Sequence, residues 1–155
     1  MIPLLAALLL QTAPAPAAPV CSAVIAPPAG LEAWSIAPNA SNDSIPLSKA
    51  TNVRLKPTAD VRFALTPERA PAAGTFSGVY NVSIATAGTY RIALSGGAWI
   101  DLAKDGKSLK SVAHTEGPAC SGIRKIVDFD LTPGTFTLQL SGAKAIEMRV
   151  LIAPK

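Results

Sequence analysis

The strongest constraint on this chain is a period of two. Apolar and polar residues alternate in one short run after another, and Gly or Pro punctuates the runs. The clearest case is residues 123–142. Val127, Phe129 and Leu131 fall on one face, with Asp128 and Asp130 on the other. After Pro133-Gly134, Phe136, Leu138 and Leu140 alternate with Thr135, Thr137 and Gln139. Alternation on both sides of a tight Gly turn predicts a β-hairpin.

The same pattern recurs along the chain. Val53 and Leu55 alternate with Asn52, Arg54 and Lys56; Val61, Phe63 and Leu65 alternate with Arg62, Ala64 and Thr66. Tyr80, Val82 and Ile84 form a further run, and Tyr90, Ile92 and Leu94 follow the turn Thr86-Ala87-Gly88. Ile100 and Leu102 share a face opposite Trp99 and Asp101. Asp105-Gly106 is a two-residue hairpin signal that needs positive φ, with Ser108 to Ala113 as the return strand and His114 to Gly122 as a loop. Ile146, Met148, Val150 and Ile152 make the last strand.

One internal echo stands out. Gly88-Thr89-Tyr90-Arg91-Ile92-Ala93-Leu94-Ser95-Gly96 parallels Gly134-Thr135-Phe136-Thr137-Leu138-Gln139-Leu140-Ser141-Gly142. Two equivalent hairpins imply two similar halves. The expected fold is all-β: an antiparallel, jelly-roll-like β-sandwich of nine or ten strands with one wet face per sheet. A flattened barrel is the alternative.

Composition agrees. Charged residues make up only 15% of the 155, while Pro (14) and Gly (11) are frequent, as suits strands joined by turns. The formal charge of +4 is scattered. A nucleic-acid surface needs a denser basic stripe interleaved with aromatics, so that partner is excluded.

Residues 2–10 form a short apolar run followed by an Ala/Pro stretch. The run is too short to span a bilayer and resembles the core of a secretory signal peptide, although Lys and Arg are missing before it. No transmembrane segment follows. The expected organisation is a signal peptide over 1–20, an irregular segment over 21–44 that Trp34 docks onto the body, and a β-sandwich over 45–155. Val20 before Cys21 fits a lipid-attachment signal poorly. The expected location is periplasmic or secreted.

Two thiols in an exported chain pair. Cys21 and Cys120 are therefore expected to form a disulfide tying the N-terminal segment to the loop before Ile123. Closing a loop of about 100 residues is worth roughly 4–5 kcal/mol in chain entropy. The rival is a reactive Cys120 beside His114.

Groups able to carry chemistry are few. There is one His, His114, and no Gly-x-Ser-x-Gly elbow. A catalytic residue is not assigned, and neither is a cofactor. Asp128 and Asp130 are weak calcium candidates, since calcium needs only oxygens; the competing reading is a solvated face paired with Arg124 or Arg91. If Ile100 and Leu102 face the core, Trp99 points outward beside Asp101. An aromatic next to a carboxylate makes a sugar platform, with His114 and Arg124 at its rim. The competing reading packs Trp99 under a loop.

The Gly-Thr-Tyr and Gly-Thr-Phe segments, with the stretch from Val79 to Ile152, resemble the bacterial pre-peptidase C-terminal domain and related carbohydrate-binding-like sandwiches. That resemblance implies a secreted accessory module. Gly97-Ala98-Trp99-Ile100-Asp101, with Gly117 to Lys125, resembles a set of small exported bacterial proteins, some of which carry the label homogentisate 1,2-dioxygenase. A non-haem iron oxygenase of that kind needs two His and a carboxylate, and one His in the whole chain does not supply them. The expected function is thus a non-catalytic binding or interaction module at the cell envelope. Its partner is an envelope or extracellular component such as a glycan. The alternatives are a structural envelope protein without a small ligand, and an enzyme.

Overall fold

The computed structural model describes residues 20–41 and 43–155. The expected signal peptide lies outside them except for Val20. Among the described residues, eleven strands form two sheets. The first sheet contains β1 (Asn39–Ser41), β2 (Thr51–Arg54), β5 (Gly88–Leu94), β8 (Ala113–Thr115), β9 (Lys125–Leu131) and β11 (Glu147–Pro154), in the order β1-β2-β11-β5-β9-β8. The second contains β3 (Lys56–Pro57), β4 (Phe76–Ile84), β6 (Trp99–Lys104), β7 (Lys107–Leu109) and β10 (Gly134–Ala143), in the order β3-β4-β10-β6-β7. The fold is the expected all-β sandwich. Its strand count exceeds nine or ten, although the run 61–65 joins no sheet, because β1, β3 and β8 are short strands with little alternation of their own.

The inner faces supply the main core. Tyr80, Val82 and Ile84 of β4 meet Phe136, Leu138 and Leu140 of β10 in one sheet; Ile92, Leu94, Val127, Phe129, Val150 and Ile152 face them from the other. These are the residues that alternation placed inward. Each contributes about 1.5–3 kcal/mol of burial.

The connectivity departs from expectation at both echo segments. Strand β9 lies in the first sheet and β10 in the second, so Thr132-Pro133 carries the chain across the sandwich. The segment 123–142 is therefore not a hairpin. Residues 85–87 make the equivalent crossing from β4 to β5. The two crossings are related by symmetry: Gly88 opposes Leu131 in one sheet, and Gly134 opposes Ile84 in the other. Two side chains fix them. The Tyr90 hydroxyl donates to the Thr86 carbonyl at 2.8 Å. The Lys104 ammonium donates to the Thr132 hydroxyl at 2.9 Å and the Pro133 carbonyl at 2.8 Å. The Asp105-Gly106 turn is a true hairpin, with φ of 51° and 72° at its two central residues.

The expected wet faces are only partly wet: Asn52 and Arg54 of β2 and Asn81 and Ser83 of β4 are exposed, but part of each outer face is covered. Outside the first sheet, a short 3-10 turn (Glu32–Ser35) seats Leu31 and Trp34 on Ala93, Ile126, Leu151 and Ala153. The Arg149 guanidinium lies 5.7 Å from the Trp34 ring centroid and donates to the Trp34 carbonyl at 3.2 Å. Trp34 thus docks the N-terminal segment as its sequence implied. Cys21 and Cys120 form the expected disulfide, and Ile25 N–H donates to the Cys120 carbonyl beside it at 3.0 Å.

Outside the second sheet runs the segment 61–75. Val61, Phe63 and Leu65 are half-buried and Arg62 and Ala64 exposed, so the period of two is real. The segment nevertheless joins no ladder. It lies flat over the sheet, and a side chain pairs with its backbone: Leu65 N–H donates to Gln139 Oε1 at 2.9 Å, and Gln139 Nε2 donates to the Leu65 carbonyl at 3.1 Å.

Candidate functional site

A groove of about 610 Å³ opens where the segment 69–75 and strand β8 flank the end of the second sheet. Small-ligand sites span about 300–1,000 Å³. Its floor is the start of β6 and the end of β10, where Trp99 pairs with Ser141. Trp99, His114 and Arg124, three of the four expected ligand-binding residues, line it.

Trp99 is half-buried. Its indole N–H donates to Asp101 Oδ1 at 3.1 Å, and the Lys125 ammonium sits 5.1 Å from its ring centroid. The same ammonium donates to the Ala98 carbonyl at 3.1 Å. The fourth expected residue, Asp101, lies beneath the groove rather than in it. It is 4% exposed and also accepts the Glu68 N–H at 3.4 Å. Burial raises its carboxyl above the ordinary value and the nearby Glu68 charge adds to this, against the opposing hydrogen bonds from Glu68 N–H and Trp99. Asp101 therefore orients the indole and holds down the strap. It has no oxygen turned to a sugar.

His114 sits on edge strand β8 rather than in a loop, and its side chain is exposed. Arg124 makes a rim ion pair with Glu116 at 2.5 Å. With half or more of both side chains in water, that pair is worth at most about 1 kcal/mol. Cys120 is in the disulfide and does not serve as a nucleophile with His114.

The weak calcium candidates are otherwise engaged. Asp128 is buried, with Lys155 Nζ at 3.0 Å and Arg91 Nε at 3.6 Å, the latter an ion pair too long for a hydrogen bond. Asp130 accepts from the Thr89 hydroxyl at 2.5 Å. Among the described residues, no three His, Cys, Asp or Glu side chains gather as a metal site, and no helix is long and apolar enough to cross a membrane.

Sequence reasoning missed Arg69, Lys144 and Ser141, which also line the groove. Arg69 belongs to a Pro-rich loop without periodicity. Ser141 had a signal: it ends the echo, where Ser95 is its counterpart.

With the sandwich and its groove defined, the chain can be set beside known proteins. No protein-family model matches it, and no curated protein does. Two solved chains match. One is the pre-peptidase C-terminal domain of a collagenase from Bacillus anthracis, 12% identical, covering 74% of this chain and 96% of that one with a TM-score of 0.45. This is the family that the Gly-Thr-Tyr and Gly-Thr-Phe segments resemble. At this distance the likeness carries no functional argument, and the sandwich assignment rests on the strands themselves.

Proposed function

We propose that the protein is an exported, non-catalytic binding module that takes a carbohydrate-type ligand of the cell envelope or its surroundings in the groove beside Trp99. One observation carries this reading: Trp99, His114 and Arg124, distant in sequence, line a single open groove with Lys125 across the indole. The Cys21–Cys120 disulfide suits an oxidising compartment. The apolar N-terminal run supports export in the same way. The binding role replaces the chemistry that a chain with one His is poorly equipped to perform.

Indole fluorescence tests the reading. Trp34 is buried against the first sheet, so a Trp34→Phe variant isolates Trp99. Titration with a glycan panel should change Trp99 emission saturably for at least one sugar class. Trp99→Ala should abolish binding of that class by calorimetry. A panel without a saturable response defeats the proposal and favours a structural envelope role.

A further inference from the structure

The groove contains a charge imbalance and an orphaned hydroxyl. Arg69, Arg124, Lys125 and Lys144 line it, against the single carboxylate of Glu116. Arg124 is paired with Glu116 at the rim, where the Glu116 side chain is 77% exposed. Among the described residues, no carboxylate lies within ion-pair distance of Arg69, Lys125 or Lys144. Burial, followed by the charges of Arg69 and Arg124, lowers the Lys125 ammonium below the ordinary lysine range. Arg69, Lys125 and Lys144 thus line one groove with no carboxylate ion-paired to any of them.

Ser141 is the second, independent observation. It is 1% exposed and lines the groove, yet its hydroxyl has no hydrogen-bond partner. Its echo counterpart is satisfied: Ser95 Oγ accepts Arg149 N–H at 2.9 Å. Buried polar groups are almost always paired, and one that is not calls for an explanation. A partner arriving from the groove supplies it.

We infer that the ligand of this groove is a carboxylate-bearing oligosaccharide whose acid group is held by Arg69 and Lys125 and whose oxygens reach the Ser141 hydroxyl. The inference rests on the proposed binding role and specifies its ligand class. A guanidinium pairs with carboxylate through parallel N–H donors, and Ser141 adds an unpaired hydroxyl for a polyhydroxylated chain. Single-stranded nucleic acid is disfavoured because it needs successive aromatic platforms, and Trp99 is the one aromatic in the lining.

The test is calorimetric titration of the full mature chain with trigalacturonate and with its fully methyl-esterified form. A sulfated carrageenan hexasaccharide, whose only anionic groups are sulfates, and hexaglutamate serve as competing anions. The acid sugar should bind more than about tenfold tighter than its ester, as expected for loss of a charge-assisted contact. Arg69→Gln, at an exposed position, should weaken the acid sugar about tenfold and leave the ester unaffected, and Lys125→Met should weaken the acid sugar by about as much. Lys107→Met, on the remote hairpin, should leave both unchanged. Ser141→Ala should weaken binding without lowering the melting temperature, because it removes an unpaired hydroxyl. Equal binding of acid and ester, lost in Trp99→Ala, overturns the anion inference and leaves the binding role standing. Binding of neither, with no response from the wider panel, overturns both. Preference for the sulfated sugar overturns the carboxylate assignment. Equal binding of hexaglutamate reduces the site to diffuse charge and overturns the sugar class.

Discussion

Gln139 holds Leu65 by both of that residue's backbone groups, at 2.9 and 3.1 Å. A side-chain amide thus does what a neighbouring strand does elsewhere in the sheet. The amide is fully buried. Gln139→Leu keeps the size but leaves the Leu65 N–H and carbonyl unpaired under the strap. The expected loss is about 1–3 kcal/mol by urea unfolding, with earlier proteolytic cleavage between residues 61 and 75. An unchanged stability would mean that the strap is held by its apolar residues alone.

Trp34 and Ile36 sit two residues apart with opposite environments: 4% and 65% exposed. Trp34→Ala should cost about 3–5 kcal/mol, as for other buried aromatic truncations. Ile36→Ala should stay within about 0.5 kcal/mol. Equal effects in chemical denaturation would show that the segment is not docked through Trp34.

The disulfide joins residues 99 apart in sequence. Its loss constrains the unfolded chain less, so Cys21→Ala with Cys120→Ala should lower stability by about 4–5 kcal/mol. Guanidinium unfolding of the wild type with and without reductant should show the same difference. The double variant should show none. A purified exported protein with two alkylatable thiols would refute the pairing.

Asp101 makes stability depend on pH in an unusual direction. Its folded carboxyl is raised above the ordinary value, mainly by burial, so the folded protein releases that proton later than the unfolded chain does. The carboxyl's contribution is intact below the ordinary carboxyl pKa, about 3.9, and is lost as pH rises through the raised folded value. Asp101→Asn keeps an acceptor for the Trp99 indole without the charge. Because the amide turns a second donor on the Glu68 N–H, the pH trend is the readout: the variant's melting temperature relative to the wild type should fall as the pH drops through the carboxyl range. A gain that grows on acidification would contradict the raised pKa.

The connections between strands were less legible than the strands. The runs around Tyr80, Tyr90, Val127 and Phe136 all identified strands and their inward residues. Alternation records only which way side chains face. It is satisfied equally by a hairpin within one sheet and by a crossing between two. The Pro133-Gly134 junction consequently reads as a hairpin, although it carries the chain from one sheet to the other. The run from Val61 to Leu65 shows the same ambiguity: its alternation comes from lying on a sheet, not from belonging to one.

The groove was legible in part. Trp99, His114 and Arg124 drew attention by residue type, and all three line it. Asp101 drew the same attention and is buried beneath them. The difference lies in the strap. A polar residue on an outward strand position reads as solvated, and only the packing of residues 61–75 over Gln139 and Asp101 buries that face. Arg69 enters the groove through the same strap, which has no periodicity to announce it.

The amino-acid order by itself determined the β class, the inward faces and the two sulfurs available to pair, because each follows from local spacing and side-chain chemistry. The sheet to which each strand belongs, the partial covering of both outer faces and the gathering of cations in one groove with Trp99 were decided by tertiary structure alone. These depend on contacts between distant segments, where burial can select among several arrangements that the same local pattern permits.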